Sequence, residues 1–408
     1  MTRNVTIAMK RQRLPLAALK AWSKLNNVEF HGVNVQHVGG YPVDKGAVVI
    51  ASQDLEAGGD GDSPAEVLIR VPRELVLSSE MVHGWAKVDG YLKEVLDAVG
   101  DFGMVALAAK LNSLSREFNL LRESTEHFSW CEKIWWNDQT GRLSFQDWLD
   151  VDSWYRSRAL HLPEVGNAMV PCIDMVNHRP LEDAAAYFDQ TPDGDAVLLL
   201  QEGKVLSSGQ EATINYGSKS ASEMVFSYGF IDESTMSARE LVLDIEIPDD
   251  DPLKKAKEAV SDSHPVVRLT LNGDSVEWQS SFIWLICVNE EDGIEFKLLQ
   301  SVDGSTELQV FWKGEYMDAI SSLENLLKAD PSWEIFQLRA VSLLQDRVEN
   351  QLMQLDQSQQ GSQVKEHHTN AQTWVTTVRL RELEQQLMEA AILEFERQVF
   401  ISFLGLAS

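Results

Sequence analysis

Apolar positions change their period several times along the 408 residues, and each change marks an element. Leu14, Leu16, Ala17, Leu19 and Trp22 recur at helical spacing, and the pair Asn26 and Asn27 stops the run. VEFHGVNVQHV (28 to 38) then alternates apolar and polar positions, which predicts a strand. AVVIASQDL and EVLIRVP read as two further strands joined by the polar loop EAGGDGDSPA. Helical periodicity covers residues 78 to 125 and is clearest in LAAKLNSLSREFNLLREST. The stretch 126 to 160 holds Trp130, Trp135, Trp136, Trp148 and Trp154, bulk that predicts helices packed across the core. Short strands return between 168 and 216 as AMVPCIDMV, AAAYFD, AVLLLQ and EATINYG, with turns at TPDGD and SSGQ. IPDDDPLKKAK (247 to 257) is an acidic, proline-bearing connector. Beyond it KKAKEAVSDS, FIWLICVNEE, EYMDAISSLENLLKA and RELEQQLMEAAILEFERQVFISFL read mostly as amphipathic helices. QSQQGSQVKEHHTN (357 to 370) has few apolar residues and reads as an exposed loop. The fold class expected is α+β: an irregular β-rich domain with a helical insertion, followed by an α-helical C-terminal domain.

Composition narrows the classes of function. A hydrophobic content of 44%, with 12 Trp and 15 Phe, supports packed cores rather than disorder. A net charge of -28 repels phosphate backbones, so direct nucleic-acid binding is not expected. The same charge would attract basic protein segments, and it would equally serve solubility. The first 28 residues run against it, with Arg3, Lys10, Arg11, Arg13, Lys20 and Lys24 and no acid. An ordinary basic leader over 1 to 27 is the expectation there, ahead of a mitochondrial address. Cys131, Cys172 and Cys287 form no CxxC pair, which suits free thiols in a reducing compartment and leaves no zinc site built on cysteine pairs. Apolar runs such as FIWLICV are too short to span a bilayer, and no signal-peptide core follows the N-terminus. A cytoplasmic or nuclear monomer is expected.

Candidate chemistry gathers around PCIDMVNHRP, where Asn177 and His178 follow an apolar, strand-like run. Tyr216-Gly217 and Tyr228-Gly229-Phe230 lie downstream in INYGSKSASEMVFSYGFI, and Arg156 and Arg158 lie upstream in WYRSRAL. Gly46 sits in DKGAVVIASQDL. Each residue also has an ordinary structural explanation. Asn-His pairs commonly make satisfied turns, and Asp174 could be a turn or cap residue. Arg158 could pair with Asp152, and Tyr216 and Tyr228 could be core tyrosines with satisfied hydroxyls. A metal hydrolase built on His31, His37, His161 and His178 lacks ligand spacing such as HExxH.

Together and in this order, these motifs resemble the SET-domain protein lysine methyltransferases. The resemblance is to the Rubisco large-subunit and ribosomal-protein lysine methyltransferase type, with its helical substrate-binding domain. By motif it covers residues 28 to 232, with a helical insertion over about 78 to 160, and by architecture alone the tail from 250 to 408. It implies S-adenosylmethionine as cofactor, with the backbone of Lys45, Gly46 and Ala47 against it. It further implies Arg158 facing the methionine carboxylate, Asp174, Asn177 and His178 completing the pocket, and Tyr216 as the catalytic tyrosine. Tyr228 and Phe230 match aromatic residues beside the cofactor and the lysine channel. The chemistry accounts for these types: a guanidinium grips a carboxylate bidentately, and a narrow aromatic channel lowers a lysine pKa by desolvation. No metal is needed.

Two departures from the family stand out. Gly46-Ala47-Val48 replaces the usual Gly-x-Gly, placing a stiff side chain where a glycine allows close approach. Near residues 101 to 107, relatives of this type carry several dozen more residues, which are missing from this sequence and would leave it a poor catalyst. The activity expected is methylation of lysine on a basic, non-histone protein such as a ribosomal protein or translation factor. The alternatives are a catalytically silent SET-fold interaction module and a histone methyltransferase. The last lacks the Cys-rich zinc-binding segments that several histone-directed relatives have.

Overall fold

The computed structural model describes residues 15–39, 46–57, 65–87, 89, 107–137, 143–260, 265–273, 275–300, 306–362 and 371–406. The chain divides into two compact units, Met1–Gly217 and Ser218–Ser408.

The first unit begins with helix α1 (Leu19–Leu25), which stops where Asn27 takes a left-handed φ of 56°. The alternation from Val28 onward does not make one strand. It makes β1 (Glu29–Phe30) and β2 (Val33–Val38), because Gly32 turns the chain at φ 65°. A Cβ on Gly32 would lie 2.5 Å from a Leu55 methyl carbon, so Leu55 would have to shift to admit any other residue at this left-handed position. Then follow β3 (Gly46–Ala51), β4 (Leu55–Glu56), β5 (Val67–Val71), β6 (Leu77–Ser78), β7 (Ala159–Leu162) and β8 (Gly166–Met169). The unit ends with β9 (Asn177–His178), β10 (Ala186–Gln190), β11 (Ala196–Leu200), β12 (Val205–Leu206) and β13 (Thr213–Ile214).

These strands form several small sheets: β1-β5-β11-β10, β6-β8-β7, and the pairs β2-β3, β4-β12 and β9-β13. Leu68, Ile69, Val71, Leu198 and Leu200 pack at their centre in one apolar core that also includes Ile173, Val176 and Ile214. The predicted strand through VPCIDMV is corrected here. β8 ends at Met169, Cys172 takes a φ of 72°, and Ile173–Met175 is a single 3-10 turn. Pro171 has no N–H for a ladder, and the Asp174 N–H bonds back to the Val170 carbonyl at 3.0 Å.

The helical insertion contains α2 (Ser79–Ala86), α3 (Leu107–Thr125) and α4 (Phe145–Arg158). Of the apparent deletion near 101 to 107, residues 101 to 106 lie outside the described residues. The tryptophans of this region do not pack across the main core as expected. Leu121, Cys131 and Trp136 bury a separate small cluster, walled by Phe118, Phe128, Trp130, Trp135 and Trp148. Trp136 Nε1 reaches the Thr125 hydroxyl at 3.1 Å, so the indole N–H is satisfied inside that cluster. Ser144 and Asp147 cap α4 with reciprocal hydrogen bonds. No residue of α4 is buried, and Val151, Trp154 and Tyr155 are 51%, 46% and 41% exposed.

In the second unit, α5 (Ala221–Tyr228) is capped by Ser220 and closes at Gly229 with φ 81°. The helices expected beyond residue 250 are interrupted by strands. β14 (Glu240–Asp244), α6 (Lys254–Ala259), β15 (Val266–Asn272) and β16 (Ser275–Gln279) come first. Buried Val267 and Leu269 alternate with polar residues, and Asn272 pairs with Ser275 around Gly273, which makes RLTLNG-SVEWQ a hairpin. FIWLICV is helical only over Ile283–Ile286 and is buried on every side, so its pattern is not amphipathic. A second sheet, β17 (Ile294–Gln300), β18 (Thr306–Trp312) and β19 (Glu315–Met317), precedes α7 (Leu323–Lys328). The long helices α8 (Trp333–Ser362) and α9 (Ala371–Leu406) follow. α8 runs through 357 to 362, which had been expected to be loop, and 363 to 370 lie outside the described residues. Fully buried Lys257 donates to Asp251 Oδ2 at 2.6 Å and to the Val288 carbonyl at 2.8 Å. Arg379 of α9 holds both oxygens of Glu233 at 2.6 Å. No described helix is long and apolar enough to cross a membrane.

Candidate active site

β9 and β13 pair in parallel, Thr213 with Asn177 and Ile214 with His178. The Arg179 N–H donates to the Ile214 carbonyl at 2.9 Å and the Ala185 N–H to the Thr213 carbonyl at 3.1 Å, which extends the contact. This pairing sets QEATINYG against IDMVNHR and brings Tyr216 to His178. The Tyr216 backbone N–H donates to His178 Nδ1 at 3.1 Å. Nδ1 is thereby an acceptor, and in the neutral ring the proton sits on Nε2. The two rings lie 5.1 Å apart. The Tyr216 hydroxyl donates to the Val176 carbonyl at 2.7 Å.

Arg158, the last residue of α4, donates from Nη1 to the Asp174 carbonyl at 3.0 Å and lies 3.5 Å from Asp174 Oδ2. Asp152, weighed above as a partner for Arg158, is held instead by Arg156 at 2.6 Å. The Arg158 side chain stays 44% exposed. Asp174 is the one charged residue lining an otherwise apolar groove of about 370 Å³, among Leu19, Trp22, Leu77 and Met175. Burial therefore pushes its carboxyl above the ordinary range, against the opposing pull of Arg158. Its Oδ1 is buried and makes no hydrogen bond of ordinary geometry, although the Cys172 and Asp174 backbone N–H groups lie near the carboxyl and join Arg158 in opposing the rise. Burial, with Asp174 adding to it, also pushes the Cys172 thiol up to about 12, so Cys172 is no nucleophile at neutral pH.

Asn177 Nδ2 donates to Glu211 Oε1 at 2.5 Å. The Glu211 backbone bridges to Ile50 of β3, and the Ala212 N–H donates to the Val49 carbonyl at 2.9 Å. β3 also runs beside the Ile173–Met175 turn. Gly46 opens β3 at φ 68°, a conformation that favours glycine, and Ala47 pairs with His37. Val48 is buried, so its bulk goes to the interior. Lys45 lies outside the described residues.

The first unit thus gathers Arg158, Asp174, Asn177, His178, Tyr216 and the strand of Gly46 and Ala47. Tyr228 and Phe230 belong to the second unit, with their rings 6.2 Å apart, and burial foremost raises the Tyr228 hydroxyl pKa. Sequence reasoning passed over Glu211 and the Val176 carbonyl. Neither carries a local signal, because Glu211 meets Asn177 across 34 positions and Val176 contributes only backbone. Among the described residues no three His, Cys, Asp or Glu side chains come together as metal ligands.

The architecture is a SET fold, with long helices in the C-terminal unit. The crystal structure of the SET domain of LSMT bound to methyllysine and AdoHcy superposes with a TM-score of 0.60 over 96% of this chain and 94% of that one. Rubisco LSMT bound to AdoMet superposes with a TM-score of 0.55 over 96% and 93%. Sequence identity to each is 15%, so the likeness is one of fold. In sequence, 207 residues are 28% identical to SET domain-containing protein 8 of Schizosaccharomyces pombe, covering 50% of this chain and 47% of that protein. The chain spans about half the length of that relative. No family model matches the chain.

Proposed function

We propose that the chain is an S-adenosylmethionine-dependent protein-lysine N-methyltransferase acting on a basic, non-histone protein. The observation that carries this reading is the parallel pairing of Asn177-His178 with Thr213-Ile214, which draws residues from distant stretches into one site. The donor set fits the cofactor: an exposed guanidinium at Arg158 suits a carboxylate, and the orphaned, buried Asp174 Oδ1 suits an ammonium. When bound, S-adenosylmethionine would supply a sulfonium methyl group to a neutral lysine nitrogen, the S–CH3 bond breaking to leave the uncharged thioether and the alkylated ammonium giving up a proton. Arg158, Asp174 and Asn177 bind and orient, and the backbone of Gly46 and Ala47 lines the approach. The Tyr216 hydroxyl, fixed on the Val176 carbonyl, directs its remaining lone-pair density and orients the amine. The net charge of -28 supports a basic partner by steering.

Calorimetry with S-adenosylmethionine, followed by labelled-methyl transfer into a cell extract, tests the reading. Micromolar binding and a labelled basic protein are expected. An absence of binding at millimolar cofactor would leave a silent interaction module.

A further inference from the structure

Glu211 sits where two parts of the candidate site meet. Its backbone bridges to Ile50 of β3, the strand that starts at Gly46, and its side chain takes the amide of Asn177. The carboxylate oxygen is 2.5 Å from Asn177 Nδ2. A carboxylate has no hydrogen to give, so only the NH2 side of the amide can face it, and Oδ1 must point the other way. The bond is also charge-assisted, which makes it shorter and stronger than an amide-amide contact.

Asn215 shows the contrast. Its Oδ1 accepts from the Gly217 N–H at 2.8 Å while its Nδ2 donates to the Arg179 carbonyl at 3.2 Å, so both ends of that amide serve the local turn. Asn177 uses its donor end on Glu211, and the described hydrogen bonds leave its acceptor end for something else. We infer that Glu211 is a positioning residue: it locks the amide of Asn177 in the one orientation that presents Oδ1 to an N–H donor of the bound cofactor. S-Adenosylmethionine carries two such donors, its ammonium and its exocyclic amine. Without Glu211 the amide turns over freely about a broad torsion and offers NH2 to those donors half of the time or more. This inference rests on the cofactor reading of Asn177 made above.

The test is a double-mutant cycle on the full chain, reading the dissociation constant of S-adenosylhomocysteine by calorimetry and the melting temperature alongside. Asn177→Ala should weaken binding by about ten-fold and Glu211→Ala by about two-fold or more, and the double variant should bind no worse than Asn177→Ala alone. A Glu211→Ala loss that repeats in full in the Asn177→Ala background would mean that Glu211 only braces β3, and would overturn the inference. Wild-type affinity in Glu211→Ala beside a weakened Asn177→Ala would overturn it while sparing the cofactor reading. Unchanged affinity in Asn177→Ala would sink both. Should Glu211→Ala fail to fold, Glu211→Gln runs the same cycle. Its amide can face Asn177 either way round, so a loss of about two- to five-fold is expected with Asn177 present and none in its absence. An equal loss in both backgrounds would overturn the inference.

Discussion

The hydroxyl of Tyr216 is anchored 2.7 Å from the carbonyl oxygen of Val176, the residue that leads into Asn177 and His178. The ring proposed to orient the substrate amine and the strand proposed to hold the cofactor are therefore one mechanical piece. Tyr216→Phe should leave the dissociation constant of S-adenosylhomocysteine within a few-fold and lower turnover by about ten-fold or more, since only positioning in the transition state is lost. It should also reduce stability by about 1 kcal/mol through the lost hydrogen bond. Collapse of cofactor affinity with turnover per bound enzyme intact would show that Tyr216 has been given the wrong role.

Asp174 makes stability depend on pH in a direction that can be stated in advance. Burial foremost raises its folded pKa above the ordinary 3.8, so the folded state holds the proton longer than the unfolded chain does. The stability this proton confers is full below 3.8 and is lost as pH rises through the folded pKa. Asp174→Asn removes the titration and keeps the shape. Melting temperatures of the two proteins, compared from about pH 4 to pH 7, should therefore move apart in favour of the variant as pH rises. A difference that stays flat over that range would mean the carboxyl is not desolvated. Cofactor affinity should fall in the variant above the folded pKa of Asp174, where the native carboxyl is an anion able to face an ammonium, and the difference should shrink as pH falls through it.

Two cations of the second unit separate buried from exposed ion pairs. Lys257 is wholly buried on Asp251, so Lys257→Ala leaves a carboxylate and a carbonyl without their donor and should cost about 3–5 kcal/mol. Arg379 grips Glu233 in a bidentate fork, yet the side chains are 39% and 45% exposed, and Arg379→Ala should cost less than about 1 kcal/mol. Urea denaturation of both variants measures the contrast. Equal costs would refute it.

Capture of a basic protein substrate should weaken as salt rises, because exposed charges are screened beyond about 10 Å at 0.1 M. Rates of methyl transfer at low and moderate ionic strength report this, with a free lysine analogue as the uncharged-surface control. A flat response would reduce the charge of -28 to solubility alone.

What could be read from the sequence was whatever is local or ordered along the chain. The periodicity of Leu107–Thr125 and the turns at TPDGD and SSGQ needed no partner to declare themselves. Arg158, Asp174, Asn177, His178 and Tyr216 were found by their order and meet in the first unit. VPCIDMV misled because burial without alternation looks alike in a strand and in a tight turn, and Cys172 at φ 72° has no sequence mark. The hairpin at Asn272 was hidden among amphipathic helices, although its alternation of Val267, Leu269 and Leu271 with polar residues was there to be counted. Glu211 was beyond reach, since its meaning comes from a neighbour brought up by the β9-β13 pairing.

The helix Phe145–Arg158 is tied at its ends, by the Ser144 cap at one and by Arg158 on Asp174 at the other, and it rests on the small tryptophan cluster through Phe145 and Trp148 with no residue of its own fully buried. In amide hydrogen exchange such a helix should open alone, at a small fraction of the free energy needed to expose the amides near Ile173 and Ile214. Filling the grip of Arg158 with a carboxylate would splint that end further. Exchange along the whole helix should then slow on cofactor binding, although only its last residue is proposed to meet the ligand, and occupation of the proposed site would be visible as a helix that stops breathing.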